Sequence, residues 1–303
     1  MMRGIGPGSR AVLLLCAMAA PLAGCGGTVK DPEPSEDSWN QEMDSGRDTL
    51  RLGRYKLAET HYLEALRLGR LSNNVMRIGD AGYNLSVVLL RAGLPAEALA
   101  TAEKTMQDVL LRNNSDYDTR PLSLVMAGAL FRLQRYGEVI DRTRQAASVS
   151  PADAIARRAL FIRGLAADRV AQFSLLNQTI ASLSADTRKA PDDETSKADL
   201  AELQALASIG SAPVQAAKYA ATSADLRKSN DDFKGMVRVL RLEADAAQAS
   251  GQTGWAQALR QQAEQSEAAY NMKHDVIADV DLTGAMSVSV RSAARAADGV
   301  ISQ

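Results

Sequence analysis

Gly53-Arg54-Tyr55-Lys56-Leu57-Ala58-Glu59-Thr60-His61-Tyr62-Leu63-Glu64-Ala65-Leu66 is the stretch on which the fold turns. Counted from Gly53, tyrosine stands at +2, alanine at +5, tyrosine at +9 and alanine at +12. That spacing puts Tyr55, Ala58, Tyr62, Ala65 and Leu66 on one side of a helix. Leu50 carries the same periodicity upstream of Gly53, so the glycine falls where a turn joins two helices. Alanines on the shared face have little side chain, which lets two helix axes come close.

The pattern recurs along the chain. Tyr83-Asn84-Leu85 through Gly93 and Ala98 forms a second unit, offset by 40 residues from Gly53 and Ala58. A third runs from Leu124 through Gln134, Tyr136, Val139 and Ala146 to Pro151. Weaker echoes follow. Phe161 to Gly164 has the look of a first-helix face, Gly210 turns between two apolar segments, and Trp255 with Ala258 repeats the aromatic-plus-alanine spacing. The prolines after residue 38, Pro95, Pro121, Pro151, Pro191 and Pro213, all fall near helix starts or loops, where a missing amide costs little. A helix pair cannot bury its apolar face alone, so neighbouring pairs must stack on a shared core.

These residues resemble the tetratricopeptide repeat family, clearly over residues 39–151 and in degenerate form over 152–270. The resemblance implies an all-α solenoid of stacked helical hairpins. An offset of 40, against that family's 34, implies either longer loops or longer helices. In the family the first helix of each hairpin lines a groove that holds an extended peptide or a partner helix. The corresponding positions here are Tyr83, Val87 and Leu90 in the second unit, and Leu124, Gly128 and Phe131 in the third. Their apolar character suits either a hydrophobic partner segment or burial against the protein's own helices.

Composition agrees and excludes other classes. Alanine is the most abundant residue and the strongest helix former. Of 303 residues, 35 are basic and 36 acidic, with a sequence pI near 6.2, so the chain lacks the net-positive footprint of a nucleic-acid-binding protein. Two cysteines and two histidines leave little for a zinc site or a disulfide scaffold.

The N-terminus reads as an address. Arg3 and Arg10 precede a run, Ala11 to Ala23, that is apolar apart from Pro21 and too short to span a bilayer. Leu22-Ala23-Gly24-Cys25 resembles the lipobox of bacterial lipoproteins. The resemblance implies cleavage before Cys25, diacylation of that cysteine and loss of Cys16 with the signal peptide, residues 1–24. The residues alone leave two alternatives: a secreted protein with a chance cysteine near its cleavage site, and a retained N-terminal anchor. Loss of Arg3 and Arg10 would leave a net charge of about −3, so a lipid rather than a basic patch must hold the protein to the membrane. Gly26 stands where an aspartate resembles an inner-membrane retention signal, which favours the outer membrane, facing the periplasm. Residues 25–38, acidic and with two prolines, read as the lipidated cysteine and a solvated tether of up to roughly 40 Å.

The repeat domain is expected over 39–270. In the tail, 271–303, Val276, Ala278, Val280 and Leu282 alternate with polar residues save Ile277, as do Met286, Val288 and Val290. A short hairpin, a disordered segment and a last helical stretch all remain open for it.

Candidate chemistry is sparse. His61 beside Glu64 is a conceivable general base, but no nucleophile or metal set accompanies it, and His274 stands alone. Asp279-x-Asp281-x-Thr283-Gly284 echoes a calcium loop, yet the twelfth position is Val290 where a carboxylate is required. Asp192-Asp193-Glu194 suits a helix N-terminus. Trp39 and Trp255 would be prized at an interface, though Trp255 in a repeat's aromatic place is expected to pack. The expectation is a non-enzymatic chain with no catalytic residue, metal or cofactor. It is a lipid-anchored scaffold or pilot for an envelope, secretion or pilus assembly complex, with an envelope protein as partner. The alternative is a carrier whose apolar groove encloses a lipid or small molecule.

Overall fold

The computed structural model describes residues 36–112, 117–148, 153–190 and 192–279. Among the described residues there are twelve α-helices and no strand. They are α1 (Glu36–Arg51), α2 (Tyr55–Leu71), α3 (Val75–Arg91), α4 (Pro95–Leu111), α5 (Arg120–Arg132) and α6 (Tyr136–Ala147). The second half holds α7 (Ala154–Arg169), α8 (Phe173–Lys189), α9 (Glu194–Ser208), α10 (Pro213–Ser229), α11 (Phe233–Ala249) and α12 (Thr253–Asp279). Each helix packs on the next. Helices two apart also pack in the series α1–α3, α3–α5, α5–α7, α7–α9 and α9–α11. The odd-numbered helices therefore form one continuous layer, with each even-numbered helix against its odd neighbours. This is the all-α, tetratricopeptide-like solenoid of stacked hairpins, and it extends without a break through the half where the sequence pattern is degenerate.

One turn design builds most of it. Gly53, Asn73, Gly93, Gln134, Ala171, Asp231 and Gly251 all take a positive φ, between 47° and 82°. Around each, the chain leaves a helix with two reverse hydrogen bonds. At Gly53 these are Gly53 N–H to the Leu50 carbonyl and Arg54 N–H to the Thr49 carbonyl, at 3.0 and 2.9 Å. At Asp231 they are Asp231 N–H to Lys228 and Asp232 N–H to Arg227, at 3.3 and 2.9 Å. The carbonyls orphaned by helix ending are thereby satisfied, and the next helix begins two residues after the turn residue. Twelve residues after the turn the side chain is buried in all seven cases: Ala65, Leu85, Thr105, Ala146, Leu183, Glu243 and Ala263. Ala58, Ile78, Ala98, Val139, Leu176 and Ala256, at +5, are fully buried too.

The 40-residue offset now has its cause: α2, α3 and α4 are each 17 residues long and their turns are tight, so length sits in the helices. Pro95, Pro121 and Pro213 occupy the first or second helical position of α4, α5 and α10. Pro151 and Pro191 lie outside the described residues.

Three details depart from the sequence reading. First, α1 begins at Glu36, inside the segment expected to be tether, and Asp37 in its first turn suits the positive end of the helix dipole. Second, Trp255 is 51% exposed and Ala258 is exposed as well. The turn centres on Gly251, which directs Ala256, Leu259 and Ala263 inward and rotates Trp255 outward. Third, α12 continues past residue 270 to Asp279, so Val276 and Ala278 are helical. Residues 280–303, and residues 1–35 with Cys25, lie outside the described residues.

The core changes character along the chain. The first cluster holds large side chains such as Tyr62, Ile78, Leu85, Leu122, Met126 and Leu130. The last is built mainly of alanine, including Ala205, Ala220, Ala244, Ala247, Ala256 and Ala263. The pairs α9–α10, α10–α11 and α11–α12 are accordingly among the most extensively packed. Alanine contributes little buried area per residue, so close approach and dispersion supply the cohesion.

Four of the seven turn residues are not glycine, and a left-handed conformation costs an ordinary L-residue about 1–2 kcal/mol. Ala171→Gly, at φ 55°, is expected to stabilise the protein by about 0.5–1 kcal/mol, after the greater freedom glycine gives the unfolded chain. A urea midpoint that stays put or falls in the variant would contradict this account of the turn.

Candidate functional site

The six positions singled out from sequence all lie on the odd-helix layer and all are half-buried. Tyr83, Val87 and Leu90 belong to α3, and Leu124, Gly128 and Phe131 to α5, two helices packed against each other. Val87 stands between Tyr83 and Leu90 on α3, and the other five divide into two groups. Leu90 lies against Gly128, where an added Cβ would stand 3.3 Å from Leu90 Cδ2. Phe131 meets Tyr136 edge to face with ring centroids 5.2 Å apart. This end of the surface is filled by the protein's own side chains. Tyr83 and Leu124, by contrast, border an open cavity of about 500 Å³.

The cavity is assembled from four pieces of chain. Met76, Asp80, Tyr83 and Asn84 come from α3, and Tyr117 and Asp118 from the α4–α5 connection. Pro121 and Leu124 come from α5, and Ile155 from α7. Tyr117 is the keystone. Its ring lies on Gly79, where a Cβ would stand 2.2 Å from Cζ, so the absence of a side chain on α3 is what admits it. Its hydroxyl donates to the Asp80 carboxylate. Burial, joined by the nearby Asp80 charge, holds the Tyr117 hydroxyl above the ordinary tyrosine range. Burial likewise raises Asp80 above the usual carboxylate range, with the Tyr117 hydrogen bond opposing it.

Asp118 differs in kind. Arg120 grips it through Nε and Nη2 at 2.9 and 2.6 Å, and that hydrogen bonding holds its carboxyl below the usual range. Arg120 also reaches Asp153 at 2.7 Å, and Asp153 caps α7 by accepting from Ala156 N–H at 2.8 Å. The connection carrying Tyr117 is thus pinned to the start of α7.

Farther along the same layer the surface is closed by charge. Arg158 of α7 bonds Asp199 of α9 at 2.8 and 3.0 Å. Glu202 of α9 takes Arg238 of α11 at 2.7 and 2.8 Å. Arg227 reaches in from α10 to Asp199, Glu202 and Asp232 at 2.8, 2.6 and 2.6 Å. Phe161 lies beneath all three guanidiniums, with centroid distances of 4.7, 5.5 and 5.9 Å. Three cations meet three anions, so the cluster is neutral.

The other singled-out residues fall into structural roles. His61 meets Glu42 of α1 at 2.8 Å, half-buried between α1 and α2. Asp193 caps α9 by accepting from Ser196 N–H at 3.0 Å, and also holds Arg157 at 2.9 Å. Trp39 packs on the first core cluster with Arg77 over its ring at 5.7 Å. Trp255 hydrogen-bonds Glu243, whose carboxyl burial pushes up. The side chain of His274 and the Asp279–Gly284 motif lie outside what is described. Among the described residues no helix is long and apolar enough to cross a membrane.

Sequence periodicity found Tyr83 and Leu124 but missed Asp80, Asn84 and Tyr117. Asp80 and Asn84 flank Tyr83 at helical spacing, a signal that was present and polar rather than apolar. Tyr117 stands in a connection with no periodicity, and only its docking on Gly79 gives it a role.

No protein-family model matches the chain, and no curated protein does. Among solved structures it is similar to the MamA RS-1 ArsTM double mutant, at 19% identity and a TM-score of 0.45, over 65% of this chain and 98% of that one. It is similar also to a TPR repeats protein from Bacteroides fragilis NCTC 9343, at 17% identity and a TM-score of 0.30, over 76% and 98%.

Proposed function

We propose that this chain is a lipid-anchored envelope protein whose helical array serves as an interaction scaffold or pilot for an envelope, secretion or pilus assembly complex. The observation that carries the reading is the Tyr83–Leu124 cavity. Among the described residues it lies open on a helix layer that is filled by side chains around Leu90, Gly128 and Phe131 and closed by ion pairs around Asp199 and Glu202. A shaped, half-apolar surface on a rigid hairpin stack is suited to holding a partner segment. The Leu22-Ala23-Gly24-Cys25 motif supports the location. Acyl chains on Cys25 would fix the protein at the outer membrane, and the residues after it would set its reach into the periplasm.

A cavity of about 500 Å³ also falls within the usual range for small-molecule sites, which keeps the carrier reading as a second one. The two separate experimentally. Affinity purification from solubilised envelopes is expected to recover a stoichiometric protein partner that Leu124→Asp loses while remaining folded. A purified protein that carries a small molecule in native mass spectra, and no protein partner, would replace the scaffold with the carrier. The anchor is tested apart from either. Cys25→Ala is expected to move the protein from the membrane to the soluble fraction, and a wild type that takes up no labelled fatty acid would refute lipidation.

A further inference from the structure

The half-buried acids of this chain are mostly answered by arginine. Asp108 holds Arg70 at 2.6 Å, Asp153 holds Arg120 at 2.7 Å, Asp193 holds Arg157 at 2.9 Å and Asp232 holds Arg227 at 2.6 Å. Asp80 differs. Among the described residues no cation lies within ion-pair distance of it, and its partner is the neutral hydroxyl of Tyr117. Arg120, which grips Asp118 of the same cavity lining, is committed to Asp118 and Asp153. A half-buried carboxylate without a cation carries a partial desolvation cost that a charged ligand can repay.

The space next to Asp80 has the shape and lining for that ligand. Tyr83 and Tyr117 offer aromatic walls on which a guanidinium can stack, and Met76 and Leu124 offer apolar cover for its methylene stem. The Asn84 side-chain amide donates to the Asp80 main-chain carbonyl at 2.8 Å, which fixes the amide's orientation at the cavity rim.

We infer that the cavity over Asp80 is a subsite for a basic side chain, arginine in preference to lysine, borne by the segment that docks on the odd-helix layer. The inference rests on the protein-binding reading above and adds the chemistry of what is bound. It predicts that the partner segment carries an arginine, and that this residue is held by charge at Asp80 and by stacking on the two tyrosines. The planar guanidinium presents several donors at once, which is why it is preferred to a point-charge ammonium.

The test uses the full chain, purified in detergent with methyl-labelled methionine, and reads the Met76 methyl resonance, assigned with Met76→Leu. The probes are Nα-acetyl-arginine methylamide, the corresponding lysine compound and the uncharged norleucine compound. The arginine probe is expected to shift Met76 saturably, to bind more tightly than lysine, and to lose affinity by about tenfold or more in Asp80→Asn. Should Asp80→Asn fail to fold, the same dependence on charge is read in the wild type as weaker binding at higher salt. Norleucine binding as well as arginine would overturn the subsite, as would an arginine affinity indifferent to both Asp80→Asn and salt, or no shift at all. Each of those results is compatible with a protein partner lost on Leu124→Asp, so failure here is distinguishable from failure of the scaffold reading.

Discussion

Arg227→Met is expected to destabilise the protein by about 3–5 kcal/mol, the cost of removing one member of a buried charge network. Arg227 is 1% exposed, and it is the residue that joins Asp199, Glu202 and Asp232 into one cluster. Without it three carboxylates face two guanidiniums, and the excess negative charge is held away from water. Methionine keeps the apolar length of the stem, so the loss isolates charge rather than packing. The check is urea unfolding followed by circular dichroism, together with Arg227→Met/Asp199→Leu. The double variant leaves Glu202 paired with Arg238 and leaves Arg158, whose side chain is 41% exposed, able to turn to solvent. It should recover much of the loss. A double variant no more stable than Arg227→Met would mean that an unpaired charge is not the cause.

The same cluster predicts an acid limb. Burial resists ionisation of Glu202, but Arg238 and Arg227 more than offset it and hold its carboxyl below the ordinary range. For Asp232 burial is again outweighed, chiefly by Arg227. With folded-state values below unfolded ones, the unfolded chain takes up protons first. These two groups therefore stabilise the fold above the unfolded carboxylate range of about 4, and the contribution is lost as pH falls through their folded values. Asp199, which burial pushes up, works in the opposite sense and softens the limb. Arg227→Met should flatten it.

Gly82→Ala is the second large effect, with an expected loss of about 1–3 kcal/mol despite alanine's better helix propensity. A Cβ at Gly82 of α3 would stand 2.2 Å from Thr105 Oγ1 and 2.4 Å from its Cγ2 on α4. Thr105 cannot swing aside, because it is β-branched, fully buried and bonded through its hydroxyl to the Thr101 carbonyl at 2.8 Å. The α3–α4 hairpin must open instead. Thr105→Ala removes the two closest atoms and leaves the Cβ at 2.8 Å as the nearest of the three, so it should restore the larger part of the stability in the Gly82→Ala background while costing stability alone. Equal effects of Thr105→Ala in both backgrounds would show that this contact does not set the cost.

The first three hairpins were legible because their determinants are local. Gly53 and Gly93 punctuate, alanine and tyrosine recur at fixed spacing, and steps of three and four residues, the helical period, decide which face is buried. The fourth hairpin was harder to read for a reason visible at Ala171. Gln134 and Ala171 both hold the left-handed turn position without glycine, through the same paired hydrogen bonds as Gly53, but Tyr136 and Ala146 keep the spacing after Gln134, whereas Leu176 and Leu183 replace the alanines after Ala171. Trp255 misled because an aromatic two or four residues after a turn points to different sides of the helix.

The sequence by itself determined the class, the period and the balance of charge: an alanine-rich helical array, with a cysteine motif set apart at its start. Only the tertiary structure decided which polar residues matter. Arg227 and Lys228 stand together as an ordinary basic helix end, yet Arg227 is buried because two of its acids, 25 and 28 residues away on α9, close over it. Asp80 reads as a solvated residue on α3 until Tyr117, from a connection 37 positions later, packs its ring on Gly79 and brings its hydroxyl to the Asp80 carboxylate. Helix formation answers to neighbours within a turn, whereas the environment of a charge is set by whatever the fold brings beside it.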